Sequence, residues 1–249
     1  MEYALLLEYD GTNFAGSQYQ PNVRTVQGTL EDSIIKFASL NKRTKFASRT
    51  DSGVHAFGQV VKIDINKEVN SFELQSALNH FLDIDISIKS ACTVDSFFNP
   101  RSDAISRLYT YSIQHGQARS PQQSRFTWQM NYCLDVQSMK KAIETLPYDS
   151  IDWSPFAGKV PENYSTIRQL QSIKMIGNEK NIQVFVQASG FLPHQVRRMI
   201  GAIKHVGTHK ISVNEFENLI NGPSGSVHFT APAKGLNLTK IQYDMPLFQ

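Results

Sequence analysis

The chain reads as an α+β protein with mixed, largely antiparallel sheet and helices on one face. Strand-like segments outnumber helical ones, and many are joined by links of hairpin length. Neither a strict internal repeat nor a low-complexity tract interrupts them. Residues 2–9 read as a strand ending in the turn Asp10-Gly11. A helix is predicted over about 26–39, with Leu30, Ile34, Ile35 and Phe37 on its apolar side. Strands near 44–48 and 58–65, a helix near 71–82 and a strand near 85–94 complete a first unit. The second has a strand at 106–114, a helix at 136–146, strands at 166–176 and 181–189, helices at 193–207 and 213–221, and a strand at 236–243. Two similar α+β units, 1–104 and 105–249, fit the length of 249 residues.

The predicted helix at 193–207 carries the clearest pattern. Pro193 suits a first helical turn. Val196, Met199, Ile200, Ile203 and Val206 recur at helical spacing and form a core stripe. Arg197, Gly201, Lys204 and Thr208 follow one border of that stripe. Basic side chains there reach past the core edge, and Gly201 admits a close neighbour.

Composition excludes several classes. Hydrophobic residues at 41% and charged residues at 19% are ordinary for a globular protein. No run approaches the eighteen apolar residues of a membrane span. The N-terminus lacks a basic region before its apolar residues and reads as a strand, not a signal peptide. Cys92 and Cys133 show no C-x-x-C spacing and are expected reduced and buried, as in a cytoplasmic protein. The seven histidines form no His/Cys cluster in the sequence, so no metal is expected. Phosphate-loop, dinucleotide and nucleophile-elbow motifs are all missing from the sequence. A cofactor-free chemistry built around a carboxylate remains.

The candidate carboxylate lies in Ser48-Arg49-Thr50-Asp51-Ser52-Gly53-Val54-His55-Ala56, two residues after an arginine. Alone, such a pair reads as a surface turn. In a cleft, the aspartate is a charged nucleophile or stabiliser, and the arginine holds it or a phosphate. The net charge of +3 does not by itself establish a nucleic-acid partner. The basic residues fall in three clusters: Lys42, Arg43, Lys45 and Arg49; Arg101 and Arg107; and Arg197, Arg198 and Lys204. They read equally as one phosphate track or as three solvated faces. Tyr109 and Tyr111 project from one side of the predicted strand at 106–114.

Taken together, the motifs resemble the TruA-type tRNA pseudouridine synthases. The matching segments run in order along nearly the whole chain. They are Tyr9-Asp10-Gly11-Thr12-x-Phe14-x-Gly16-x-Gln18, Val26-Gln27-Gly28-x-Leu30-Glu31, Arg49-Thr50-Asp51-x-Gly53-Val54-His55-Ala56, Arg107-x-Tyr109-x-Tyr111 and Phe191-Leu192-x-x-x-Val196-Arg197-x-x-Ile200-Gly201. Ala231-Pro232-Ala233-x-Gly235-Leu236-x-Leu238 is also family-like. The resemblance implies two subdomains joined into one sheet, with an active-site cleft between them. It makes Asp51 the catalytic aspartate, with Tyr109 stacking on the base and assisting loss of the C5 proton. Arg49 would hold a flipped nucleotide, and Arg197 would pair with Asp51. His55, Arg107 and Lys204 are further candidates for substrate binding. The expected activity is isomerisation of uridine in the anticodon stem-loop of tRNA, at the family's positions 38 to 40. It needs no cofactor or metal, and the expected partners are tRNA and a second copy of the chain. Ser17 departs from the pattern, standing where the family usually has tryptophan; Ser48 and Ser52 replace smaller residues.

Two other readings compete. A catalytically silent RNA-binding paralogue would have no use for the Asp51, Arg49, Tyr109 and Arg197 set. A glycoside or nucleoside hydrolase normally needs two catalytic carboxylates. Beyond Asp51, the motifs offer only Asp10 and Asp103, neither with an evident acid role.

Overall fold

The computed structural model describes residues 1–178 and 180–248. These hold ten strands and five α-helices, so the class is α+β, and both parallel and antiparallel strand pairs occur. The chain divides into two compact units, Met1–Arg107 with Asn237–Gln249, and Leu108–Leu236.

In the first unit, β1 (Glu2–Tyr9) runs antiparallel to both β3 (His55–Asp64) and β4 (Ile86–Thr93). The predicted strand at 44–48 shrinks to β2 (Lys45–Phe46), which pairs with the far half of β3. β10 (Leu236–Tyr243) lies parallel to the start of β3, with Asn237 opposite His55. Tyr3, Leu5, Leu7 and Tyr9 are buried along β1. Helix α1 (Val26–Phe37) buries Val26, Leu30 and Ile34, spaced four apart on one face, and the Thr25 hydroxyl caps its N-terminus by accepting the Gly28 N–H. Helix α2 (Ser71–Phe81) buries Leu74 and Leu78. Its Asn79 side chain accepts the Ile88 N–H at 2.7 Å and donates to the Ile88 carbonyl at 2.9 Å, fastening the helix to β4.

In the second unit, the strand order is β5 (Ala104–Gln114), β9 (Asn181–Ala188), β8 (Ile167–Gly177), β7 (Ser150–Asp152). β8 and β9 form an antiparallel hairpin, and the short β6 (Trp128–Gln129) lies parallel to β5. The unit boundary falls within β5. Two- and three-residue strands such as β6 and β7 carry too little periodicity to be predicted. Helix α3 (Val136–Glu144) is capped by Asp135, and its Met139 packs against Gly207 of helix α4 (Gln195–Gly207). The apolar stripe of α4 is buried as its spacing predicts. The start of α4 differs, because His194 adopts a left-handed conformation (φ +61°), which no helix can continue through. Pro193 therefore precedes the helix instead of opening it. Helix α5 (Val213–Asn218) is shorter than predicted and passes into a 3₁₀ turn, Leu219–Asn221. Both cysteines are free thiols, but neither is fully buried: Cys133 is exposed in the loop before α3, and Cys92 is half-buried on β4.

Candidate active site

Asp51 lies in the connection between β2 and β3, within the first unit. Thr50 is buried. Its N–H donates to the Ser17 Oγ at 2.8 Å, its carbonyl accepts the Ser17 N–H at 3.0 Å, and its hydroxyl bonds the Tyr9 hydroxyl at 2.8 Å. Burial raises the Tyr9 pKa to about 12, which keeps that hydroxyl neutral. On the other side of Asp51, the Phe14 carbonyl accepts the Ser52 hydroxyl at 3.2 Å and the Gly53 N–H at 3.3 Å. The Val54 N–H closes the turn on the Asp51 carbonyl at 3.1 Å. Gly53 has φ +76°, a left-handed conformation that glycine adopts without a Cβ penalty. Upstream, the Gln59 side chain bridges the backbone of Ser48 through both its oxygen and its nitrogen. Asp51 itself is half-buried and Arg49 is exposed.

The loop that grips this turn is the Tyr9–Gln18 motif. Asp10 caps its short 3₁₀ turn, and Gly11 passes so close to Val54 that a Cβ would stand 2.0 Å from the Val54 carbonyl oxygen. Arg24 braces the loop from outside. Its guanidinium sits 4.1 Å from the Phe14 ring centre and bonds both Asp83 and Asp85 at 2.7 Å. The hydrogen bond from Arg24 holds the Asp85 carboxyl below the usual carboxylate range.

The other site residues predicted in the first unit are buried. The His55 Nδ1 accepts the Gly11 N–H at 3.0 Å, with Asp10 Oδ1 3.2 Å from the same nitrogen. Through Nδ1, His55 joins the loop to the start of β3. The Arg107 guanidinium donates to the carbonyls of Ala104, Ala47 and Arg101.

The remaining predicted residues belong to the second unit. Tyr109 on β5 is buried and meets the Phe191 ring edge-on at 5.3 Å. Arg197 on α4 is half-buried, and its Nε donates to the Ala231 carbonyl at 2.8 Å while its own carbonyl accepts the Ala231 N–H. The Tyr111 hydroxyl donates to the Pro232 carbonyl, and its ring leaves no room for a side chain at Gly235. The Arg197, Tyr111 and Ala231–Gly235 motifs thus form one packed assembly. Lys204 is buried with its ammonium 5.7 and 5.6 Å from the ring centres of Trp128 and Tyr132. Among the described residues, no three His, Cys, Asp or Glu side chains form a group able to hold a metal ion, and no helix is long and apolar enough to cross a membrane.

Sequence reasoning left three contributors without a role: Ser17, Thr50 and Gln59. Gln59 carries a legible signal, being a polar residue leading an apolar strand run; it is fully buried. Thr50 shows none, and Ser17 only its departure from the matched motif, because small hydroxyl residues in loops are ordinary.

Comparison with known proteins places the whole chain in context. A family model described as tRNA pseudouridine synthase matches residues 6–101 and 150–244. A tRNA pseudouridine synthase A from Thermoanaerobacter sp. (strain X514) is 35% identical over 240 residues, covering 96% of this chain and 98% of that protein. One from Limosilactobacillus reuteri (strain DSM 20016) is 33% identical over 247 residues, covering 97% and 96%. Another, from Wolbachia pipientis wMel, is 33% identical over 246 residues, covering 98% and 100%.

Proposed function

Because the chain belongs to the tRNA pseudouridine synthase family, we propose that it isomerises uridine to pseudouridine in tRNA, with Asp51 as the catalytic carboxylate. The reaction breaks the N1–C1′ bond, turns the base and joins C5 to C1′. The C5 proton leaves and N1 gains one, so the atoms balance without a second substrate. A carboxylate assists by attacking the sugar or by stabilising the positive charge that develops when the base departs.

One observation supports Asp51 most strongly. The residues on both sides of it are tied down, Thr50 by Ser17 and Tyr9 and Ser52 and Gly53 by Phe14, while Asp51 itself is only half-buried and Arg49 beside it is exposed. Catalysis demands a carboxylate held in place yet able to meet a substrate. In this reading Arg49 holds the flipped nucleotide. Tyr109 stacks on the base and assists loss of the C5 proton, and Arg197 is the charge partner of Asp51. His55, Arg107 and Lys204 support substrate binding from buried positions. The substrate region is the anticodon stem-loop, and the protein acts in the cytoplasm as a homodimer.

Purified protein incubated with tRNA carrying tritium at uridine C5 tests the proposal. Tritium release without free uracil is expected. Asp51→Ala should abolish release while tRNA binding, measured by filter retention, persists. Full turnover by that variant would sink the assignment. Binding without release by the native protein would favour a silent RNA-binding paralogue.

A further inference from the structure

We infer that Ser17 is a positioning residue for catalysis, setting the orientation of Arg49 and Asp51 through Thr50. The inference rests on Asp51 being the catalytic carboxylate. Ser17 is 1% exposed, so it has no surface to offer an RNA. It is joined instead to Thr50 by a reciprocal pair of bonds: Thr50 N–H to Ser17 Oγ at 2.8 Å, and Ser17 N–H to Thr50 carbonyl at 3.0 Å.

The geometry of the peptide unit makes this pair consequential. The Thr50 N–H lies in the planar peptide that carries Arg49, and the Thr50 carbonyl lies in the planar peptide that carries Asp51. One serine therefore restrains both planes, and with them the positions of the Arg49 and Asp51 Cα atoms from which the two side chains leave. Ser17 is itself anchored: its carbonyl accepts the Gln27 N–H at 3.0 Å, and the Gly16 carbonyl accepts the Val26 N–H at 3.2 Å. A continuous hydrogen-bonded path thus runs from the first turn of α1 through Ser17 and Thr50 to the catalytic turn.

Only part of this path depends on the side chain. Any residue except proline can supply the N–H that meets the Thr50 carbonyl. The oxygen that receives the Thr50 N–H must hang one bond beyond the Cβ, as a serine or threonine hydroxyl does. Ser17→Ala removes it and leaves the buried Thr50 N–H without that acceptor. The peptide carrying Arg49 is then free to rotate while the rest of the loop stays anchored.

The test measures kcat and KM for tritium release, together with amide hydrogen exchange, in the native protein, Ser17→Ala and Ser17→Thr. For Ser17→Ala, kcat is expected to fall on the order of ten- to a hundred-fold, since small misplacements of reacting groups cost that much. KM for tRNA should change much less than kcat, because Arg49 is one of many groups that hold the tRNA. The Thr50 amide should lose exchange protection, whereas the Ala47 amide, bonded to the Val60 carbonyl, keeps it. Ser17→Thr, which retains the hydroxyl, should recover most of the lost kcat. Native kcat in Ser17→Ala would overturn the inference. So would a loss of kcat accompanied by deprotection of Ala47 and the β1–β3 ladder, which would mark plain destabilisation. If the native protein released no tritium, or Asp51→Ala kept full activity, the reading beneath would fall instead. Unchanged protection of the Thr50 amide in Ser17→Ala would overturn the positioning role in either case.

Discussion

Arg107 and Lys204 show how differently a charge reads in sequence and in place. Both suit phosphate binding by type and spacing, yet Arg107 donates to three backbone carbonyls and Lys204 lies against two aromatic rings. A sequence records that a side chain is cationic; what it faces is a property of packing. For Arg107 the carbonyl contacts imply a stability role beside any substrate role, since hydrogen bonds to a charged group contribute about 1.5–3 kcal/mol. Tyr109 offers a cleaner test at this scale. Tyr109→Phe keeps the ring that meets Phe191 edge-on and removes only the hydroxyl. Tritium release is expected to be lost with tRNA affinity retained; normal turnover would reduce Tyr109 to a stacking role. Asp51, Arg49, Tyr109 and Arg197 were legible as candidates because motif order marks them, whereas Ser17 becomes informative only once its hydroxyl is seen against the Thr50 amide.

Helix α4 illustrates what an element needs beyond its own periodicity. Its apolar stripe was legible because helical spacing is a local property. Its start was not, since the left-handed turn at His194 depends on the chain around it. Gly201, predicted to admit a close neighbour, does so: a Cβ there would stand 1.7 Å from the Phe229 carbonyl oxygen. In an open helix, replacing glycine by alanine stabilises by about 1 kcal/mol. Here the added methyl must push α4 off residues 229–231, the segment that Arg197 bonds. Gly201→Ala should therefore destabilise by about 1–3 kcal/mol in a denaturant titration, and it should lower activity by moving Arg197. A stabilised variant would contradict the close packing.

For the whole molecule, pH acts on stability through groups other than the proposed catalytic residues. Asp85, bonded to Arg24, and Asp64, bonded to Asn41 and near Lys42, are both held below their ordinary value of 3.8. A lowered folded pKa gives stability that is complete above the unfolded value and is lost as pH falls through the folded one. The melting temperature should accordingly drop below about pH 4, and Asp85→Asn should flatten that slope; an unchanged slope would exclude Asp85 as a contributor. At the alkaline end the sign reverses. Burial raises the Tyr9 pKa to about 12 and pushes Tyr111 higher, so their stability is full below the unfolded value of 10.0 and fades as pH rises through the folded values. By itself, the sequence determined the α+β class, most of the element order, and the candidate carboxylate with its arginine and tyrosine, because periodicity and motif order lie along the chain. Tertiary structure alone decided that β10 runs parallel to β3, that Arg107 and Lys204 are buried, and that Ser17 grips the turn that carries Asp51. Each of these depends on which distant segments meet, and hydrogen bonds and burial are properties of that meeting.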